Sequence, residues 1–546
     1  MNTLEKIKDK ERELDPLRKR FDRQAALARL DPYHLTVFDE KGKEHKMPGA
    51  MSITMNNPAV TLNAVISWLM AAKWQTVIKG KISPTLQTMI EEFQDDMYAE
   101  ADERRLKIGR PINNHFFASH ICSRGWICSR NLWLKDGDNY YPDLRPTDVR
   151  FFTWEWNDKG MEWGSNQMFR SASEINRQYN LNLTGTTKFE VYDHWDSKVN
   201  EVWINDKKEK EVENTIGYPP FVLTPAPRGI VFLDKDYLID TGQGLLFMNE
   251  KMYEYLNQAM SINQTAGLKS VIGAYQKQSP AEAEKTPYPI PGAMDEYTEF
   301  QGPTELIQQP DLNRAGITYQ QQILEQEKKG GLSDADLGMR QPNPASSLVI
   351  TEQAEIRHQI QKPGLDGLAS HYQMVSRQMI DQFVKFEISS KVGKKGLAKE
   401  YSAKSFPDPE SYDISYVLTS RSRKLEIANI AISASARGEL SRDTRIRTLM
   451  QLDDPEGEIA RLEAEEARRL DPLLDIVEKG ARLIYYAKDT NDPAEASLRY
   501  VEARLLRDRA IALIKQRRNP QAVQEEPKSE QPKVNTAMSA LGGMIG

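Results

Sequence analysis

The sequence predicts an α+β protein in which helix predominates. Three observations carry this expectation. Apolar residues recur at spacings of three and four near the N-terminus, through the middle third, and from 348 onward. A block between 126 and 204 alternates instead and holds most of the nine Trp. Asp-Pro pairs at 454–455, 471–472 and 492–493 mark helix starts, because Asp caps the first amides and Pro tolerates the first helical position.

Taken in order, residues 2–30 read as a charged surface helix. Leu4, Ile7, Leu14, Leu17 and Phe21 form its thin apolar stripe. Leu62, Val65, Leu69 and Ala72 predict that 61–108 is helical, with a second helix from Ser83 to about Leu106. From 115 to 235 the texture changes. "WICSRNLWLKDGDNYYPDLRPTDVRFFTWEW" reads as strands joined at the "DGDN" turn, and a second pair covers Phe189–Trp195 and Glu201–Ile204. The aromatics there are expected to be core rather than a stacking platform for bases. "YPPFVLTPAPRG" (218–229) is expected to be a proline-ruled connector.

The middle third is helical again. Leu245 to about Lys269 carries a stripe of Met248, Met252, Tyr255, Leu256 and Met260. A Pro-rich insert at 276–311 follows, with short strands expected at Tyr297–Phe300 and Glu305–Gln308. Asn313–Lys329 is the next helix, and Lys328 and Lys329 suit its negative end. The stretch "GGLSDADLGMRQPNPASS" is a long polar loop, and such loops inside a compact chain usually serve a function or lack order. Leu348 to about Ile388 is the longest helical pattern, with Leu368, Tyr372, Val375, Met379, Phe383 and Phe386 in register. "KPG" at 362–364 is expected to interrupt or kink it. Three helices at about 455–470, 472–488 and 493–517 follow the Asp-Pro starts, and 519–546 has the composition of a disordered tail.

Composition narrows the function. At 546 residues, with only 39% apolar and 28% charged, the chain suits elongated helices and subunit interfaces. A net charge of −6 argues against a protein that grips nucleic acid tightly. No apolar run approaches the ~20 residues of a membrane span. The N-terminus lacks the apolar core of a signal peptide, and two Cys point to a reducing compartment. Chemistry is sparse. No phosphate-binding loop occurs, and "DTGQGLL" (240–246) lacks the third Gly of a dinucleotide fingerprint. His115, His120, Cys122 and Cys128 are close in sequence but match no common zinc spacing, so buried core residues are expected instead. No metal, cofactor or enzymatic activity is expected.

Several segments resemble those of tailed-bacteriophage portal proteins, the head-to-tail connectors of capsids. "SRGWICSRNLWL" followed by "DLRPTDVRFFTW" resembles a strand pair of the portal body. "GYPPFVLTPAPRG" resembles the entry toward the stem, and "SRDTRIRTLMQLDDPEGEIARLEAEEA" the segment leading to the crown. The similarity covers most of 50–485, and the order of elements supports it more than any one motif.

The resemblance implies a wing or body at 1–244, a first stem helix at 245–275 and a clip at 276–311. It implies a second stem helix at 312–329, a tunnel loop at 330–347, a long kinked helix with a wing return at 348–450, and a helical crown at 451–518 before the tail. It implies a ring at one capsid vertex of the virion, usually of twelve subunits, assembled in the host cytoplasm. Large terminase, head–tail adaptor or tail proteins, and major capsid and scaffold proteins would be its partners. Double-stranded DNA would pass through the channel during packaging and ejection. Channel contacts would then fall on Lys328, Lys329, Gly330, Gly331, Asp334, Asp336, Met339, Arg340 and Asn343, a mixed-charge set suited to touching DNA without holding it. Two rival readings stand beside it: a helical scaffold or adaptor without a channel, and a nuclease with an oligomerisation tail. The aromatic block disfavours the first and the scattered carboxylates the second.

Overall fold

The computed structural model describes residues 2–272, 275–277, 304–306, 312–330, 347–419, 433–446, 471–489 and 493–518, apart from isolated positions. It is a mixed α/β protein with more helix than strand. The chain divides into two compact units, 1–425 and 426–546.

In the first unit, α1 (Thr3–Glu13) and α2 (Asp15–Arg29) meet at Leu14, where Pro16 opens the second helix. All five residues of the expected stripe are buried. Next come β1 (Thr36–Phe38), β2 (Glu44–Lys46) and α3 (Asn57–Ala71). Of the two helices expected within 61–108, the first ends at Ala71 and the second is α4 (Pro84–Lys107), which starts on the Ser83 cap; an unexpected strand, β3 (Lys73–Gly80), stands between them. β3 forms because it pairs antiparallel along its whole length with β16 (Tyr412–Thr419), 346 positions away at the paired Lys73–Thr419 end. That partner is invisible to local periodicity.

The helix α5 (Asn113–Ser123) precedes the aromatic block. In the block, β4 (Trp126–Asp136) and β5 (Asn139–Thr147) form a hairpin whose turn holds Gly137 at φ 62°. β6 (Phe152–Asn157), β7 (Gly160–Arg170), α6 (Ala172–Tyr179), β8 (Phe189–Asp196), β9 (Val199–Ile204) and β10 (Lys207–Glu213) follow. The strands order as β10-β9-β8-β7-β6 in one antiparallel sheet. Its exposed edge strand β10 reads "KKEKEVE", a charged edge that discourages pairing with another sheet.

The proline-ruled connector is in part a buried strand. β11 (Phe221–Pro225) pairs with β4 in a three-stranded sheet, β11-β4-β5. It takes an edge, where the prolines around it cost no ladder bond.

Beyond the central hairpin described below, α9 (Ser347–Lys385) runs for 39 residues, about 58 Å at 1.5 Å per residue. It continues through Pro363 without the expected interruption. Leu368, Tyr372, Val375, Met379 and Phe383 are buried, whereas Phe386 lies past the helix end and is exposed. Burying those five side chains is worth on the order of 10 kcal/mol. They pack with Phe93, Trp133, Tyr401 and Phe406 in the main core, to which β14 (Ser389–Val392) and β15 (Lys399–Ser402) also belong. Most Trp are buried in this core or its neighbours, although Trp156 is exposed. The aromatic block is thus largely core.

In the second unit, α10 (Pro472–Asp489) and α11 (Pro493–Arg518) match two of the three expected helices. Asp471 accepts the Leu473 amide at 3.0 Å, as an Asp-Pro start requires. The third expected helix, 455–470, lies almost wholly outside the described residues, as do Tyr297–Phe300 and the tail from 519.

Candidate functional site

The middle third builds a helical hairpin. α7 (Glu250–Ile272) runs out and β12 (Tyr275–Lys277) pairs with β13 (Thr304–Leu306), the latter overlapping the expected Glu305–Gln308 strand. α8 (Leu312–Gly330) then returns. The helices are antiparallel. Asn249 Nδ2 donates to the Glu327 carbonyl at 2.8 Å near one end, and Asn263 Nδ2 to Gln320 Oε1 at 3.0 Å further out. Leu256, Ala259 and Ile323 form a small apolar seam between them. Beside Gly316, a Cβ would lie 2.4 Å from Asn263 Oδ1, so the Asn263 side chain would have to turn away from its place between the helices to admit one.

The expected stripe of α7 is buried only in part: Leu256 is fully buried and Met260 packs against the seam, while other members face outward. Met248 is 72% exposed and Tyr255 44%. A second, polar set on α7 is buried as well: Asn257, Ser261 and Thr265, at helical spacing of four. Each accepts one backbone amide from the stretch 51–55. Met55 donates to Asn257 Oδ1 at 2.8 Å, Ile53 to Ser261 Oγ at 2.9 Å, and Met51 to Thr265 Oγ1 at 3.0 Å. The spacings match, because four helical residues rise 6 Å and two extended residues advance about 6.6–6.8 Å. The hydroxyls can accept because their own protons go to the carbonyls four residues back, at 2.7 Å. On its other side the same stretch uses Ser52 and Thr54 to accept the amides of Leu35 and Tyr33. The alternation in "MSITM" (51–55) and the Asn-x3-Ser-x3-Thr spacing were the available sequence signals, and hydrophobic periodicity overlooks both.

The hairpin base is also polar. Asn57 Nδ2 donates to Glu327 Oε2 at 2.8 Å, and Arg23 pairs with Glu250 at 2.5 Å. Tyr253 is buried there, and burial with the nearby Glu327 carboxylate pushes its hydroxyl up to about 12. The chain entering α7 is held by Arg20. Its fully buried guanidinium donates to the carbonyls of Thr241 at 3.1 Å, Gly242 at 2.8 Å and Ile239. Burial lowers Arg20 to about 10. Trp126 Nε1 donates to the same Thr241 carbonyl at 3.1 Å. Gly242 sits against Trp126 and Gly125, where a Cβ would come within 2.6 Å of Trp126 Nε1. The glycines of "DTGQGLL" therefore serve close packing rather than phosphate.

The expected channel residues are only partly placed. Lys328 is exposed on the last turn of α8, and Lys329 and Gly330 complete that helix. Gly331, Asp334, Asp336, Met339, Arg340 and Asn343 lie outside the described residues. What the structure supplies is the mounting on either side: α8 ends at Gly330 and α9 begins at Ser347.

Among the described residues no cluster of His, Cys, Asp or Glu could hold a metal ion. Cys122 and Cys128 are buried, and burial pushes the Cys122 thiol up to about 12. His120 stacks on Phe116 at 4.0 Å, and burial lowers it to about 4. Among the described residues no helix is long and apolar enough to cross a membrane. No protein-family model matches the chain, and no curated protein matches it significantly.

Proposed function

We propose that the chain is the subunit of a portal-type ring, a channel at one capsid vertex through which a phage genome is packaged and ejected. The observation that carries this reading is the antiparallel α7–α8 hairpin. It is rooted in an α/β body by buried side chains, bears an insert at its outer end, and leads through 331–346 into a 39-residue helix that crosses the core. In this reading α7 and α8 are the stem, and 276–311 is the clip that docks the large terminase and then head–tail adaptor or tail proteins. Residues 330–347 are the tunnel loop, and 451–518 is the crown.

The polar rooting suits that role. A stem that guides moving DNA must keep its angle to the body, and buried hydrogen bonds fix angle and register more narrowly than apolar contact does. The mixed charges of 328–343 give weak, non-specific contact, because few phosphates are neutralised and few counterions released. Capsid and scaffold proteins would meet the body's outer surface.

The experiment is native mass with negative-stain imaging. The expected result is a closed ring with a central hole, about 750 kDa for twelve copies of the 62.4 kDa chain. Monomers or dimers at every salt and concentration would sink the reading.

A further inference from the structure

Away from the hairpin, β7, α6 and the end of α4 surround a concavity of about 640 Å³. Arg110, Arg170 and Arg177 line it with Phe151 and Phe169, and Glu174 is the one carboxylate in the lining. Glu174 is already engaged, since it accepts the Ser171 amide at 3.0 Å and closes the capping box of α6. Among the described residues none of the three arginines has a carboxylate within ion-pair distance; Arg170 meets only the Gln178 amide oxygen and the Met168 sulfur. Phe169 is half exposed and meets Phe151 edge-on at 5.8 Å. In a chain of net charge −6, this is a local cationic excess with an apolar floor.

The complement lies on the same chain. Glu92, Asp95 and Asp96 sit at i, i+3 and i+4 on one face of α4. One lysine, Lys399, reaches Glu92 at 2.8 Å, and Asp96 accepts the Tyr401 hydroxyl at 2.7 Å. Burial and the neighbouring Asp96 and Glu92 carboxylates raise the Asp95 acid above its usual range. Asp95 lies twelve positions before the helix end at Lys107, and Arg110 lies beyond it. At 1.5 Å per residue the two patches stand about 20 Å apart, too far to meet within one chain.

We propose that the Arg110–Arg170–Arg177 concavity receives the acidic face of α4, at Glu92, Asp95 and Asp96, from a second copy of this chain. Guanidinium forks match carboxylates in pairs. Two different complementary patches on one subunit allow a head-to-tail contact, the kind that closes into rings. This rests on the ring reading and names one of its lateral contacts. A carboxylate partner fits better than a nucleic acid, because the cations fill one small concavity and form no track along which a phosphate backbone could run.

The test is sedimentation of the full chain at low and high salt, for the wild type and two variants. The triple reversal R110E/R170E/R177E should raise the concentration for half-assembly about tenfold or more while leaving the melting temperature near wild type. Adding E92R/D95R to the same chain should restore assembly. A wild type that forms no ring at any salt overturns the ring reading and this contact together. Wild-type rings that the triple reversal leaves unchanged overturn this contact alone, as does failure of the added acidic-face reversal to restore assembly. A short DNA duplex that binds the wild type and not the triple reversal, with assembly unchanged, overturns it in favour of nucleic acid.

Discussion

Replacing Ser261 by Ala tests the rooting of the stem. Ser261 is fully buried, accepts the Ile53 amide at 2.9 Å and donates to the Asn257 carbonyl at 2.7 Å. Removing the hydroxyl leaves the Ile53 amide without an acceptor, a loss of about 1–3 kcal/mol. Ile53 is only partly buried, so water reaches the freed amide and the lower half of that range applies. Alanine also favours helix over serine by about 0.5 kcal/mol. The net expectation is about 1 kcal/mol, expressed as local opening of 51–55 rather than global unfolding. Each kcal/mol or two multiplies an opening constant by roughly 5–30. Hydrogen exchange should therefore show the amides of Met51, Ile53 and Met55 losing about fivefold protection, with β4 and α9 unchanged. The triple change N257A/S261A/T265A should expose the whole stretch. Unchanged protection at Ile53 in a folded S261A protein would refute the claim that this ladder holds the stem.

Three further outcomes follow from the same reasoning. Shortening Gly331–Gln341 to a brief Gly-Ser turn should spare folding and ring closure, since loop length changes closure entropy by only ~0.6 kcal/mol per doubling; encapsidated DNA should nevertheless fall sharply, and normal DNA content with normal rings would remove the channel assignment. Truncation at Asn519 should leave rings and melting temperature intact, because the deleted stretch has too few apolar residues to offset its ordering entropy; loss of assembly on truncation would contradict this. His371 lies buried between Ser129 Oγ and Thr224 Oγ1, each at 3.1 Å, and burial lowers it to about 3. The unfolded imidazole takes up a proton near pH 6.5 while the folded one stays neutral, so stability falls as pH drops from 6.5 toward 3. By pH 4 the loss is on the order of 3 kcal/mol. Urea midpoints for H371Q should show a correspondingly flatter acid limb, and identical limbs would exclude His371 as the source.

Much of the body was legible because its signals are local. The stripe from Leu4 to Phe21 and that from Leu368 to Phe383 are buried as their spacing requires. The "DGDN" turn and the Asp-Pro start at 471–472 lie where turn and cap chemistry place them. The sequence also identified α7 and α8 as helices and the stretch between α8 and α9 as long and polar. Of the expected channel set, it placed Lys328 on an exposed helix end.

Tertiary structure decided what depends on partners far away in the chain. Lys73–Gly80 is a strand because Tyr412–Thr419 pairs with it, and Phe221–Pro225 is a strand because β4 offers an edge. Pro363 stays inside α9, and core packing of Ile360 before it and Leu365 and Leu368 after it offsets the lost ladder bond. The anchoring of α7 was only partly legible for a related reason. Leu256 and Met260 of the apolar stripe lie on the seam, but the amides at 51, 53 and 55 also need acceptors, and Asn257, Ser261 and Thr265 supply them. Hydrophobic periodicity weighs apolar area along one helix. Which side chain satisfies a loop amide is settled only where two distant segments meet.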